Sequence, residues 1–206
     1  MHLFELHEFN WFPKIWRNLF TDSLSYFIAN KKLYVPIVDL LKPIIEKHED
    51  FTIVDLCSGA GIPIATVINS FNDFIDNKIQ VILTDKYPNI SAFTHLSKKS
   101  NGRIKYIDKS VDATNVSENL QGFRTFFSSF HHFNEKSALA IISDAIKKKQ
   151  GIGIFEFTER TLLLRLVPYF IFWQFWFLLH TLFIRPFRWQ RIIWTYLIPI
   201  IPVIFF

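Results

Sequence analysis

The stretch Phe51-Thr-Ile-Val-Asp55-Leu-Cys57-Ser-Gly59-Ala-Gly61-Ile-Pro63-Ile-Ala65 constrains the fold more than any other part of the chain. It opens on β-branched and apolar residues, the pattern of a strand buried on both faces in a parallel sheet. A carboxylate ends that run. Gly59 and Gly61 then let the backbone turn sharply and approach a ligand without Cβ interference. Pro63 stands in the expected first turn of a helix, where its missing N–H costs nothing. Strand, acid, glycine loop and helix, in that order, predict a nucleotide-type site at the carboxyl edge of an open sheet.

Two ligand classes suit such a loop. A dinucleotide rests its pyrophosphate on the helix N-terminus through G-x-G-x-x-G. Here Ile64 occupies the third glycine position, and Asp55 would repel a pyrophosphate but attract an ammonium group. The stretch resembles motif I of the class I S-adenosylmethionine-dependent methyltransferases: two hydrophobic residues, Asp, three residues, Gly-x-Gly. The resemblance implies that Asp55, Cys57, Gly59 and Gly61 seat the amino acid part of that cofactor. A plain strand-to-helix turn remains the alternative.

The rest of the chain supplies the partners of this unit. Lys14–Lys32 reads as a helix with Ile15, Leu19, Leu24, Phe27 and Ile28 near one face, and Val35–His48 as a second helix interrupted by Pro43. They either pack over a sheet edge or form a lid over the site. Further strands are predicted at Ile79–Asp85, Arg103–Ile107, Gly122–Ser129 and Gly153–Thr158. Helices are predicted at Ile62–Phe71, Pro88–Lys99 and Asn134–Lys149, with Gly151 as the last one's C-cap. Asn115-Val-Ser-Glu118 has the spacing of a capping box for a short helix. Five strands alternating with helices predict an α/β, Rossmann-like, doubly wound and mainly parallel sheet.

Three later motifs extend the resemblance, which covers about Phe51 to Thr158. Asp85 ends the second strand, where a carboxylate can accept both hydroxyls of a ribose, with Lys86 beside it. Val111-Asp112-Ala113-Thr114 is similar to the family's next motif, which implies Asp112 on the adenine amino group and Ala113 beside the ring; a simple loop acid is the rival. Ser128-Ser-Phe130-His131-His132-Phe133 is similar to the family's strand-four end. It implies Ser128 and Phe130 near the methyl donor, with His131 and His132 as catalytic candidates. An aromatic face attracts a sulfonium, and imidazole titrates near neutrality. Each histidine could equally be bonded to backbone at a helix start. Glu156 and Glu159 lie near the end of strand five. The Asn/Asp-Pro-Pro-Tyr box of amino-group methylases is absent, which lowers nucleic acids and proteins as substrates.

Composition divides the chain. Its 23 Lys+Arg against 18 Asp+Glu give a formal charge of +5, but the basic residues are scattered, so no nucleic acid partner is expected. One cysteine excludes an internal disulfide, and no Cys/His spacing predicts a metal site. Met1–Glu5 has no basic n-region, so no secretory leader is expected. Leu166–Ile184 contains no Asp, Glu, Lys or Arg and is about as long as a membrane span of ~20 residues. Arg185, Arg188 and Arg191 follow, then apolar Ile192–Phe206 broken by Pro199 and Pro202. Two full spans would put the arginines outside, against the positive-inside bias. A hairpin or interfacial pair that leaves them at anionic headgroups is expected instead, on the cytoplasmic side. An apolar arm buried in a homodimer or another subunit is the alternative.

The expected organisation is an N-terminal helical cap over 1–50, a cofactor-binding Rossmann-like domain over 51–160 and a hydrophobic membrane-associated helical arm over 161–206. The antiparallel hairpin that usually completes the family's sheet is not visible. The apolar arm replaces it, or the chain is a truncated version of a longer one. The resemblance implies an S-adenosylmethionine-dependent methyltransferase whose acceptor is small, hydrophobic or membrane-resident. A non-catalytic cofactor-binding or scaffold protein at the membrane is the rival, and an NAD-type oxidoreductase loses on Asp55 and Ile64.

Overall fold

The computed structural model describes residues 11–71, 78–156, 175 and 178–198. Its centre is a five-stranded, all-parallel sheet of order β3-β2-β1-β4-β5. The strands are β1 (Phe51–Asp55), β2 (Ile79–Leu83), β3 (Ile104–Tyr106), β4 (Phe123–Phe127) and β5 (Ile152–Phe155). In register, Asp55 lies between Leu83 of β2 and Thr125 of β4. The expected Rossmann-like α/β fold is therefore present. β1 ends on Asp55 as expected, while β2 to β5 stop one to three residues short of their expected ends, so Asp85 and Ser128 sit in the loops just beyond β2 and β4.

Alternation along the strands sets the two faces of the sheet. Ile53, Val81 and Leu83 point to one face, where α2 (Ile37–Ile45), α3 (Ile62–Ile68) and α4 (Ile90–Lys99) bury Leu41, Ile45, Ile64, Ile68, Phe93 and Leu96 against them. Val54 and Phe126 point to the other face, covered by Ile141 of α5 (Glu135–Lys147). The helix α1 (Lys14–Asn30) packs on α3. Of its expected apolar face, Leu19 and Ile28 are buried and Ile15 is exposed, while the polar Arg17, Asp22, Ser23 and Ser25 are buried too.

Three local expectations are corrected. Pro43 does not interrupt α2, which runs through it. The hydrogen bond it cannot donate would go to the carbonyl of Asp39, an exposed residue in the first turn of the helix. Asn115–Glu118 caps no helix: the segment is a pair of turns, closed by the Asn115 amide on Asp112 O at 3.1 Å and the Leu120 amide on Ser117 O at 3.0 Å. The left-handed residue ending α5 is Lys149 (φ 53°), not Gly151. Gln150 N–H reaches Ala145 O at 2.9 Å and Lys149 N–H reaches Ile146 O at 3.0 Å, the paired bonds of a Schellman end.

The arginine segment departs furthest from expectation. Arg188 Nε and Arg191 donate to one oxygen of Asp22 at 2.8 and 2.7 Å. Asn89, the N-cap of α4, donates to the other oxygen at 2.8 Å and itself accepts from Arg188 at 2.9 Å. Arg191 and Asp22 are each 1% exposed. These two arginines do not project toward headgroups, because a buried carboxylate in α1 holds both. Burial lowers the Arg191 guanidinium to about 10 against the attraction of Asp22. Burial also raises the Asp22 carboxyl, opposed by Arg188 and Arg191. No helix among the described residues is long and apolar enough to cross a membrane. Most of Leu166–Ile184, the C-terminal tail from 199, and Glu159 lie outside the described residues.

Candidate functional site

The sheet order reverses at β1, so the carboxyl ends of β1 and β4 border the crevice in which doubly wound sheets take ligands. Asp55 stands there, 2% exposed. Thr125 Oγ1 donates to its Oδ1 at 2.7 Å. Its main-chain oxygen accepts from the hydroxyls of Ser58 and Thr84 at 2.9 Å each. Burial raises the Asp55 carboxyl from the ordinary 3.8 to about 7; hydrogen bonds from Thr125 and Ser58 oppose the rise, and Asp85 adds to it.

The loop after Asp55 is built from left-handed residues: Cys57 (φ 56°), Gly59 (φ 58°) and Gly61 (φ 74°). A Cβ on Gly61 would fall 2.7 Å from Leu83 Cδ1 and 2.9 Å from Leu96 Cδ1. Gly61 therefore lets α3 settle against β2 and α4. A Cβ on Gly59 would lie 3.7 Å from Thr21, because α1 passes over the loop. The Gly59 amide donates to Asp85 Oδ2 at 2.8 Å, and the Tyr87 amide to Oδ1 at 2.8 Å. Burial raises the Asp85 carboxyl; the amides of Tyr87 and Gly59 and the charge of Arg17 oppose it. Arg17, on the first turn of α1, lies with its guanidinium 4.0 Å from the Tyr87 ring centroid. The Cys57 thiol is pushed well above its ordinary value, first by burial and then by Asp85 and Asp55. Lys86 is exposed, its ammonium 5.8 Å from the Tyr87 ring.

Asp112 and Ala113 sit farther along the same edge. Asp112 is exposed, and its Oδ1 accepts the Thr114 amide at 2.8 Å and hydroxyl at 2.7 Å. Those bonds hold its carboxyl below the ordinary range. Ala113 is buried in the cluster of Val54, Leu56, Val116 and Phe126.

The ends of β4 and β5 form a second group. Ser128 (φ 42°) bonds through its hydroxyl to the phenol of Tyr34, and its amide donates to Phe155 O at 2.9 Å. Burial pushes the Tyr34 phenol up to about 12. The Ser129 hydroxyl is buried with no partner among the described residues. Phe130 packs edge-on against Phe126, with centroids 5.6 Å apart. His131 Nδ1 lies 2.6 Å from Glu156 Oε2, and the Phe130 amide donates to Oε1 at 2.8 Å. Burial resists ionisation of Glu156, but His131 and the two amides outweigh it and hold the carboxyl below its ordinary range. The His132 ring lies 4.1 Å from that of His131. A cavity of about 290 Å³ opens beside them, lined by Leu33, Tyr34, Ile37, Ile154, Phe155 and Glu156.

The structure thus gathers Asp55, Cys57, Gly59, Gly61 and Asp85 at one point, and Ser128, Phe130, His131 and His132 at another. Sequence reasoning noted Glu156 without pairing it to His131. It had no role for Tyr34, Arg17 or Thr125. The one available signal was an acid closing strand five, at the same edge as Asp55 and Asp85.

Fold and edge together define a Rossmann-like α/β domain whose sheet edge carries Asp55 and Asp85 beside a left-handed glycine turn. No family model matches the chain, and no curated protein matches it. Among solved structures it is similar to an O-methyltransferase family protein from Burkholderia thailandensis, with 18% identity and a TM-score of 0.36. That likeness covers 54% of this chain and 35% of the other, about a third of the latter's length.

Proposed function

We propose that this chain is an S-adenosylmethionine-dependent methyltransferase acting on a small acceptor. The observation that carries the reading is the pair Asp55 and Asp85. Each carboxyl is raised by burial, each lies at or just past the end of one of two adjacent strands, and the left-handed glycine turn joins them. Such a donor set gains from a ligand with an ammonium group and a diol, and loses from a pyrophosphate.

In this reading Asp55 and the glycine loop hold the ammonium-bearing end, and Asp85 with Lys86 holds the ribose. Asp112, Ala113, Ser128 and Phe130 border the remainder. When bound, the cofactor supplies an electrophilic methyl group on a sulfonium. The chain's own work is alignment and exclusion of water. Ligand entry requires α1 to lift from Gly59. The cavity beside Tyr34 and Glu156, lined by apolar and polar groups together, takes the acceptor. The Nδ1 contact with Glu156 fixes the His131 tautomer that keeps Nε2 as proton acceptor for an acceptor hydroxyl. The His132 ring packs against that of His131 at a tilt of 47°.

One observation favours a second reading, a non-catalytic domain: Asp55 is almost fully covered and α1 lies over its loop. Equilibrium dialysis of S-adenosylmethionine against the full chain, Asp85→Ala and Asp55→Asn separates these readings, followed by transfer of labelled methyl to small-molecule and lipid extracts. The enzyme reading expects binding by the full chain, weaker binding by both variants, and labelled product. Binding without product supports the second reading. Tighter binding of a nicotinamide dinucleotide overturns both.

A further inference from the structure

The described part of the C-terminal arm, 178–198, is built inside out. The side chains it turns toward the protein are polar or charged: Thr181, Arg191 and Thr195 are each no more than 3% exposed. Arg188 joins Arg191 on Asp22 and adds Asn89 and Ser91 as acceptors. The apolar exceptions are the buried Ile184 and the half-buried Trp194, whose ring packs edge-on against Trp16 of α1 at 5.3 Å. The side chains it turns outward are large and apolar: Leu179, Leu182, Phe183, Phe187, Trp189 and Leu197 are each 50–75% exposed. A water-facing element normally shows the reverse polarity. The buried ion pairs make the arrangement specific. Rolling the segment over to hide its apolar side would pull both arginines away and leave the buried Asp22 without its cationic partners, with Asn89 alone still donating to it, which is strongly unfavourable.

We infer that this outward face is a docking surface for a lipid bilayer, seated at headgroup depth and held to the body by the Asp22–Arg188–Arg191 latch. Three observations select lipid as the occupant. The sequence that flanks the face on both sides is apolar, free of Asp, Glu, Lys and Arg from Leu166 to Ile184 and again from Ile192 to Phe206. Exposed Trp189 and Tyr196 are amphipathic rings of the kind that settle at the membrane–water boundary. Arg185 is exposed among these residues, with one guanidinium nitrogen donating to Leu182 O at 3.0 Å and Ile184 O at 3.5 Å, and its remaining donors suit lipid phosphate. The sequence suggested that all three arginines meet headgroups; in the structure Arg188 and Arg191 hold the latch and Arg185 is left for that role. Lipid docking through this face does not depend on methyl transfer.

The test is flotation of the full chain with phosphatidylcholine vesicles carrying a minority of phosphatidylglycerol. The wild type is expected to float. A variant with Leu179→Ser, Leu182→Ser, Phe183→Ser and Phe187→Ser is expected to bind about a hundredfold more weakly. Arg185→Glu is expected to lose the preference for anionic vesicles while still binding neutral ones. Should the serine variant not fold, quenching by bromine on lipid tails is read in the wild type and in Trp189→Phe. The share of quenching that disappears with Trp189 supports the inference. Flotation of the serine variant like wild type overturns it. So does a soluble dimer that ignores vesicles and becomes a monomer in that variant, because a second copy then covers the face.

Discussion

Replacing Asp55 by asparagine examines the site through stability alone. The native carboxyl rises from the ordinary 3.8 to about 7, and the group is almost fully covered. The folded state therefore keeps a proton that the unfolded chain has released. Where the unfolded state binds fewer protons, stability falls as pH rises. The contribution of Asp55 is complete below about pH 4, and it is lost as pH climbs to about 7. At 1.36 kcal/mol for each pH interval of one, the whole loss is about 4 kcal/mol, of which about 3 kcal/mol falls between pH 5 and pH 8. The substituted asparagine would not titrate, and its amide oxygen can still accept from Thr125. Urea unfolding followed by circular dichroism, at several pH values for both proteins, gives the difference directly. Asp55→Asn should gain on the wild type by about 3 kcal/mol from pH 5 to pH 8. A difference that stays constant over that range refutes the buried, raised carboxyl. Asp85 does not reverse the sign: its charge is one of the causes of the Asp55 rise and is already contained in it.

Particular contacts set three further outcomes. Gly61→Ala should cost roughly 2–4 kcal/mol in urea unfolding, from the left-handed backbone and the overlap with Leu83 and Leu96; a change within noise would mean the loop sits elsewhere. Arg191→Met should cost about 3 kcal/mol or more by leaving Asp22 short of a partner in a buried site; unchanged unfolding would show that the segment is not docked. Lys149→Gly should raise stability by about 1 kcal/mol, because the left-handed end of α5 suits glycine; destabilisation would contradict that helix end.

The sheet was legible because its signals are local. A β-branched run, a carboxylate, two glycines and a proline all lie within fifteen residues of Phe51, and the alternation of strand and helix patterns carried the rest. The long-range polar contacts were not legible. Asp22 falls in mid-helix, where a carboxylate ordinarily faces water, and its arginine partners come 166 and 169 residues later. Tyr34 and Ser128 are 94 residues apart, and no periodicity links them. Glu156 and His131 each belong to recognisable strand ends, yet only the parallel pairing of β4 and β5 brings those ends together. The helix end at Lys149 was missed because glycine is the usual marker of a left-handed residue, and here a Schellman pair of bonds holds a lysine in that conformation.

The central claim is that the buried Asp55, the half-buried Asp85 and a glycine turn receive an ammonium-bearing adenosyl ligand and not a phosphate. Native mass spectrometry of the purified full chain, before and after incubation with S-adenosylmethionine and with NAD, tests it most directly. The account predicts a one-to-one adduct with the mass of S-adenosylmethionine or its demethylated product, weakened in Asp85→Ala. An adduct formed only with the dinucleotide, or no adduct at any concentration, would contradict it.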